Sequence, residues 1–112
     1  MKVLLVDDDQ GTRLTLGLLL ARSGLDVRSV ADAQEALNML REDTYDWLVT
    51  DAEMSPMNGF ELALQARRIQ AALRIVMISG VFEKRDTENY PISQFFSKPV
   101  DPGALFSYLK TA

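Results

Sequence analysis

Short apolar runs of strand length alternate without interruption with helix-periodic segments along this chain, and that alternation restricts the fold more than any other feature. Val3-Leu4-Leu5-Val6 is followed by a helical segment from about Gln10 to Ser23, capped by Asp9 and stopped by Gly24. Asp26 to Val30 is a more polar run, as an edge strand would be. Asp32 then caps a second helix, whose Ala33, Ala36, Leu37 and Leu40 recur on one face. Trp47-Leu48-Val49-Thr50 leads to Asp51 and a loop with Pro56 and Gly59, after which a third helix carries Phe60, Ala63, Leu64 and Ile69 inward. Arg74 to Ser79 and about Ser93 to Ser97 read as two more strands. Asp101-Pro102 opens a last helix in the N-cap and N1 order, with Leu105, Phe106 and Leu109 as its apolar face. Such alternation predicts βαβ units around a parallel sheet. The expected class is α/β, a three-layer α/β/α sandwich with a five-stranded parallel sheet, formed by one domain over residues 1–112.

In an open parallel α/β sheet the carboxyl ends of the strands line the crevice where ligands bind. Asp7-Asp8, Asp51, Ser79 and Lys98 each fall at such an end. Carboxylates, a hydroxyl and a lysine gathered there form a site for a divalent cation and a phosphoryl group. Taken singly, each is a common surface feature. An acidic triplet after a strand caps a helix, an aspartate before a Pro/Gly loop starts a turn, and Lys-Pro is a turn of its own. Their occurrence together at four strand ends is what carries the chemistry.

Composition removes other chemistries. The chain has no cysteine and no histidine, so disulfides, thiolate metal sites and imidazole bases or ligands are excluded. Its net charge of −4 gives no electrostatic footprint for nucleic acid. The longest apolar stretch, Leu14 to Ala21, is bracketed by Arg13 and Arg22 and is far short of the roughly 20 residues that span a membrane. Met1-Lys2 runs directly into a strand without the pattern of a signal peptide. A cytoplasmic protein without membrane contact is expected, either a stand-alone unit or part of a longer chain.

The segments VLLVDDD, TDAEMSPMNG, VMISG and FFSKP occur in that order, and with them the whole chain resembles the receiver domain of two-component response regulators. The resemblance implies a flavodoxin-like strand order, 2-1-3-4-5. It implies that Asp51 is the phosphoacceptor, Asp8 a direct Mg²⁺ ligand, Asp7 a ligand mainly through water, and the Glu53 backbone carbonyl a further ligand. Ser79 corresponds to the hydroxyl that binds the phosphoryl group, Lys98 to the lysine that accompanies it, and Phe95 to the switch aromatic. Glu53 and Val81, two places beyond Asp51 and Ser79 respectively, would flank the path of a hydrolytic water. The implied function is a phosphoryl-accepting module of a two-component or phosphorelay system. It would take phosphate from a sensor histidine kinase or histidine phosphotransfer protein. It would then signal to a downstream effector protein or domain, with homodimerisation as one route, through the face made by the fourth strand, fourth helix, fifth strand and last helix. No enzyme activity is expected beyond its own phosphorylation and dephosphorylation. Three positions depart from the family pattern. Proline comes one place late, in Met54-Ser55-Pro56, Ser79 stands for the commoner threonine, and Phe95 lacks the hydroxyl of the commoner tyrosine.

Simple physics supports the same site. Neighbouring strands lie about 4.8 Å apart, so pairing of the first and third strands is expected to set Asp8 opposite Asp51 and within metal-sharing distance of it. Two carboxylates about 5 Å apart repel by roughly 3 kcal/mol at an effective dielectric near 20. That cost calls for a cation, and oxygen ligands without sulfur or imidazole suit Mg²⁺. Asp51 can act as a carboxylate nucleophile, and Lys98 supplies a flexible point charge for phosphate. Gly80 leaves space beside Ser79. Two further classes compete. A pseudo-receiver would bind partners through the same surface without phosphate. A haloacid-dehalogenase-type phosphatase is suggested by Asp7-x-Asp9 with Gly11-Thr12, although Gln10 intervenes and Asp51 precedes Lys98. A flavodoxin-like FMN binder shares the fold, but three aspartates suit a phosphate poorly without a metal. Val81 to Gln94 must hold two loops and a helix in 14 residues and contains Pro91, so the fourth helix is expected to be short or irregular.

Overall fold

The computed structural model describes residues 1–111. Among them, five parallel strands form one sheet in the order β2-β1-β3-β4-β5. The strands are β1 (Lys2–Val6), β2 (Asp26–Val30), β3 (Trp47–Asp51), β4 (Arg74–Ser79) and β5 (Gln94–Ser97), and the α-helices are α1 (Gln10–Arg22), α2 (Ala33–Glu42), α3 (Gly59–Ile69) and α4 (Pro102–Thr111). The expected sandwich and strand order are both present. β2 is an edge strand with three of its five residues exposed, whereas every residue of β3 is buried.

The pleat explains why the strands read as continuous apolar runs. Alternate side chains of a strand point to opposite faces, and helices cover both faces here. Leu4, Val6, Leu48 and Ile75 pack with Ala36, Leu37 and Leu40 of α2 and with Leu62, Ala63 and Ala66 of α3. Their neighbours Val3, Leu5, Trp47, Val49, Val76 and Ile78 pack the other way, against Leu16 and Leu20 of α1 and Leu105 and Leu109 of α4. No strand of the sheet's middle can therefore carry an interior polar residue without burying it, and polar groups accumulate at the strand ends.

Caps set where the helices begin. Asp9, Asp32 and Asn58 each accept a backbone N–H three residues on, from Thr12, Glu35 and Glu61. Asp101 accepts from Gly103 N at 3.0 Å ahead of α4. α1 ends through Ser23 and Gly24, whose φ of +97° needs a residue without a Cβ. In α3 one expectation is corrected. Gly59, Leu62, Ala63 and Ala66 form the buried stripe, and Leu64 falls off it and is exposed.

The connection from β4 to β5 contains a single 3-10 turn, Lys84–Thr87, where the other connections carry full helices. Asp86 Oδ2 accepts the Glu83 N–H at 2.8 Å, and Asp86 N donates back to the Glu83 carbonyl at 2.9 Å. The short irregular element expected there is thus present. Phe82 and Tyr90 hold it to α3, with ring centroids 5.0 and 4.7 Å from Phe60.

Candidate functional site

Three carboxylates meet where β1 and β3 end. One ligand oxygen from each of Asp7, Asp8 and Asp51 lies within 4.8 Å of the other two. Asp7 and Asp51 are buried and Asp8 is exposed. The register corrects the expected pairing. The last β1–β3 partners are Val6 and Thr50, so one step further brings Asp7, not Asp8, level with Asp51. Asp8 joins the cluster from the start of the following loop. The end of β1 at Val6 explains this, because Asp7 continues the strand direction and Asp8 already belongs to the turn toward α1.

Lys98 Nζ lies 2.9 Å from Asp51 Oδ1 and 4.0 Å from Glu53 Oε1. The lysine stands just after β5, two strands away from β3, and only its length lets it reach. Its backbone N–H donates to the Ser79 carbonyl at 2.9 Å, which fixes the base of that arm to the end of β4. Asp51 Oδ1 also accepts the Glu53 N–H at 3.4 Å, and Asp7 Oδ1 accepts the Asp9 N–H at 2.9 Å.

Electrostatics follow from burial. Desolvation pushes the Asp7 and Asp51 carboxyls above the ordinary carboxylate value, although the Asp9 N–H works against this for Asp7 and the Lys98 ammonium for Asp51. Burial alone would lower the Lys98 ammonium, but the hydrogen bond and charge of Asp51 raise it overall. The pair is consistent: Lys98 gains a partner, while Asp51 loses more to burial than that partner returns. The donor set fits a hard divalent cation. It offers three carboxylates, two of them short of solvent, and no sulfur or imidazole.

Ser79 stands beside this cluster with a fully engaged hydroxyl. Its Oγ donates to Glu53 Oε2 at 2.6 Å and accepts from the N–H groups of Val81 at 3.1 Å and Phe82 at 2.8 Å. Gly80 N donates to Glu53 Oε1 at 2.9 Å. The Glu53 side chain was expected only to flank the path of a hydrolytic water, and its hydrogen bonds to Ser79 and Gly80 are what sequence reasoning missed. A signal was available, because a carboxylate two residues beyond a strand-end aspartate faces the hydroxyl at the end of the next strand. Phe95 is half-buried and packs against Ala52, Phe60 and Met77. Gly59 abuts the end of β3, and a Cβ there would meet the Asp51 carbonyl oxygen at 2.3 Å.

A groove of about 650 Å³ opens from Asp7 and Lys98 along Thr12, Leu16 and Leu19 of α1 toward Val100. No helix among the described residues is long and apolar enough to cross a membrane.

Comparison with known proteins agrees with this geometry. The sequence profile of the response regulator receiver domain matches residues 3–110. The chain is 35% identical, over 97% of its length, to the sensory/regulatory protein RpfC of Xanthomonas campestris, and covers 16% of that protein. It is 28% identical, over 98% of its length, to the transcriptional regulatory protein GlrR of Escherichia coli, and spans about a quarter, 26%, of it. Among solved structures, a response regulator receiver protein from Pseudomonas putida superposes with a TM-score of 0.90 at 31% identity, covering 99% of this chain and 96% of that one.

Proposed function

The chain belongs to the response regulator receiver domain family, and on that premise we propose that residues 1–112 act as one phosphoryl-accepting switch whose acceptor is Asp51. The observation that carries the proposal is the Asp7, Asp8 and Asp51 cluster, with its oxygens within 4.8 Å and Lys98 Nζ 2.9 Å from Asp51. An Asp51 oxygen forms a bond to phosphorus as the bond from phosphorus to the donor nitrogen breaks. The departing imidazole of a sensor histidine kinase or phosphotransfer protein keeps the electron pair. The transition state of such transfers is loose, so positioning and charge neutralisation do most of the work. Lys98 supplies positive charge beside the entering oxygens, and Ser79 and Gly80 supply hydrogen-bond donors. Asp7, Asp8, Asp51 and the Glu53 carbonyl would hold Mg²⁺, which when bound offsets the repulsion among the carboxylates and the phosphoryl oxygens.

Two sets of partners follow from the proposal. The groove that opens from Asp7 and Lys98 along Leu16 and Leu19, together with the exposed Leu14 and Leu18 of the same helix, would offer a phosphotransfer partner apolar surface. Output to an effector, or to a second copy, would use β4, the 3-10 turn, β5 and α4, with Phe95 as switch aromatic and the half-buried Tyr90, Phe106 and Tyr108 on that face. The domain would work in the cytoplasm, where such kinases expose their phosphohistidine.

Acetyl phosphate with Mg²⁺ should add one phosphoryl group to the wild-type chain, and peptide mapping should place it on Asp51. A phosphoryl group on Asp7 would favour the dehalogenase-type phosphatase, and no uptake from any donor would favour the pseudo-receiver. Calorimetry should also find weak binding of Mg²⁺ or Mn²⁺, reduced more by Asp8→Asn than by Asp7→Asn. Absence of any heat at millimolar metal would count against the metal assignment.

A further inference from the structure

Glu53 occupies a position that the proposed function reserves for another group. Its two carboxylate oxygens take the Ser79 hydroxyl at 2.6 Å and the Gly80 N–H at 2.9 Å, and Lys98 Nζ stands 4.0 Å away. Ser79 and Gly80 donate to this anion from the end of β4, while Lys98, just after β5, keeps its short contact to Asp51 at 2.9 Å and stands beside the same carboxylate. They are also the donors assigned above to the entering phosphoryl oxygens. We infer that the Glu53 carboxylate is an internal anion that fills the phosphoryl cradle of the resting chain and competes with the phosphoryl group for it. The inference rests on the reading of Asp51 as phosphoacceptor.

The chemistry of the contact supports competition. A carboxylate presents two oxygens of like charge and spacing to those of a phosphoryl group, and charge-assisted hydrogen bonds of this kind are about twice as strong as neutral ones. Ser79 Oγ spends its proton on Glu53 Oε2 while its lone pairs accept from Val81 N and Phe82 N. The hydroxyl therefore cannot donate to a second anion until Glu53 leaves. Leaving is feasible, because the Glu53 side chain is 30% exposed and projects from the loop after β3. The contact is thus a brake. It keeps the Ser79–Phe82 backbone in its anion-bound arrangement and makes phosphoryl entry an exchange of one anion for another.

The Gly80 amide proton gives a direct readout by NMR. In the metal-free wild type it should resonate downfield, as a carboxylate-bound amide does, and move upfield in Glu53→Ala. With Mg²⁺ present, beryllofluoride titrated against the same resonance should bind roughly tenfold more tightly to Glu53→Ala, the factor that one strong charge-assisted contact commonly carries, with Glu53→Gln in between. Equal or weaker binding by both variants would overturn competition, and an unmoved Gly80 amide would overturn the contact itself. Sulfate without metal separates this idea from the phosphoacceptor reading. In an Asp51→Asn background, adding Glu53→Ala should lower the sulfate concentration that shifts the Gly80 amide by a similar factor. If wild type takes no beryllofluoride but sulfate behaves as stated, the acceptor reading fails and the internal anion stands. If sulfate binds both forms alike, the internal anion fails.

Discussion

Asp51→Asn should end phosphoryl uptake altogether and, in the metal-free protein, raise the melting temperature. The first effect is chemical. The amide that replaces the carboxylate has no anionic oxygen to attack phosphorus, so the intact mass should stay unchanged with acetyl phosphate and Mg²⁺ under conditions that modify wild type. Uptake that persisted in Asp51→Asn and vanished in Asp7→Asn would move the protein to the phosphatase class. The second effect is electrostatic. Asp51 is 4% exposed, shares its site with Asp7 and Asp8, and has a carboxyl pushed up by burial. Between the ordinary carboxylate range and that raised value, the folded chain holds a proton that the unfolded chain has lost. Stability therefore falls as pH rises through that window, and above it the full cost remains. Asparagine keeps the shape and removes this cost, while Lys98, with a third of its side chain exposed, retains Glu53 and water as company. A gain of 1 kcal/mol would lift Tm by about 4 °C in a domain of this size. Denaturant titrations across mildly acid to neutral pH should show a flatter slope for Asp51→Asn than for wild type. A lower melting temperature in the variant would mean that the Lys98 ion pair outweighs the burial of the charge.

Most of the fold was legible because its signals are local. β2 and β4 have the bounds that apolar runs and flanking residues suggested, and the α2 stripe of Ala33, Ala36, Leu37 and Leu40 is the one its periodicity named. The strand-end residues converge as a parallel sheet requires, because the shared direction of the strands puts all carboxyl ends at one edge. What was not legible depends on distances across the chain. Leu64 looked like a core residue, since leucine at helical spacing carries no mark of which stripe the sheet will cover. The partner of Asp51 across the sheet depended on a register that differs by one residue from the expected one, and a one-residue slip exchanges the two faces of a strand. Glu53 was hidden for a similar reason. Its role lies in a side-chain contact between residues 26 apart in sequence, and the only hint of that contact is its place two residues beyond a strand-end aspartate.

Gly59 shows the same limit in its backbone, and Gly59→Ala should be among the most damaging single-methyl changes in the chain. Sequence rules point the other way. Gly59 is the first residue of α3, its φ is not in the left-handed region, and replacing glycine by alanine inside a helix ordinarily gains up to about 1 kcal/mol. The packing reverses the sign. The added Cβ would stand 2.3 Å from the Asp51 carbonyl oxygen, 2.9 Å from Ala52 Cα and 3.1 Å from the Asp51 carbonyl carbon. All three are backbone atoms at the end of β3, the strand buried along its whole length, so no side chain can rotate out of the way. Either the start of α3 must retreat, straining the Gly59 N–H bond to the Ala52 carbonyl at 3.0 Å, or Asp51 must move away from Lys98. Overpacking of this kind costs about 3 kcal/mol, enough to outweigh the propensity gain and lower Tm by about 8 °C net at the conversion above. Phosphoryl uptake should fall in the fraction that remains folded, because the shift is delivered to the acceptor's own backbone. Gly80→Ala is the control. Its Cβ would meet nothing closer than Lys98 Cβ at 3.5 Å, an ordinary contact, so its melting temperature should stay within about 2 °C of wild type, consistent with a surface change of under 0.5 kcal/mol. A Gly59→Ala variant that melted like Gly80→Ala would show that the β3 end yields freely, and the fixed placement of Asp51 on which the whole site depends would have to be abandoned.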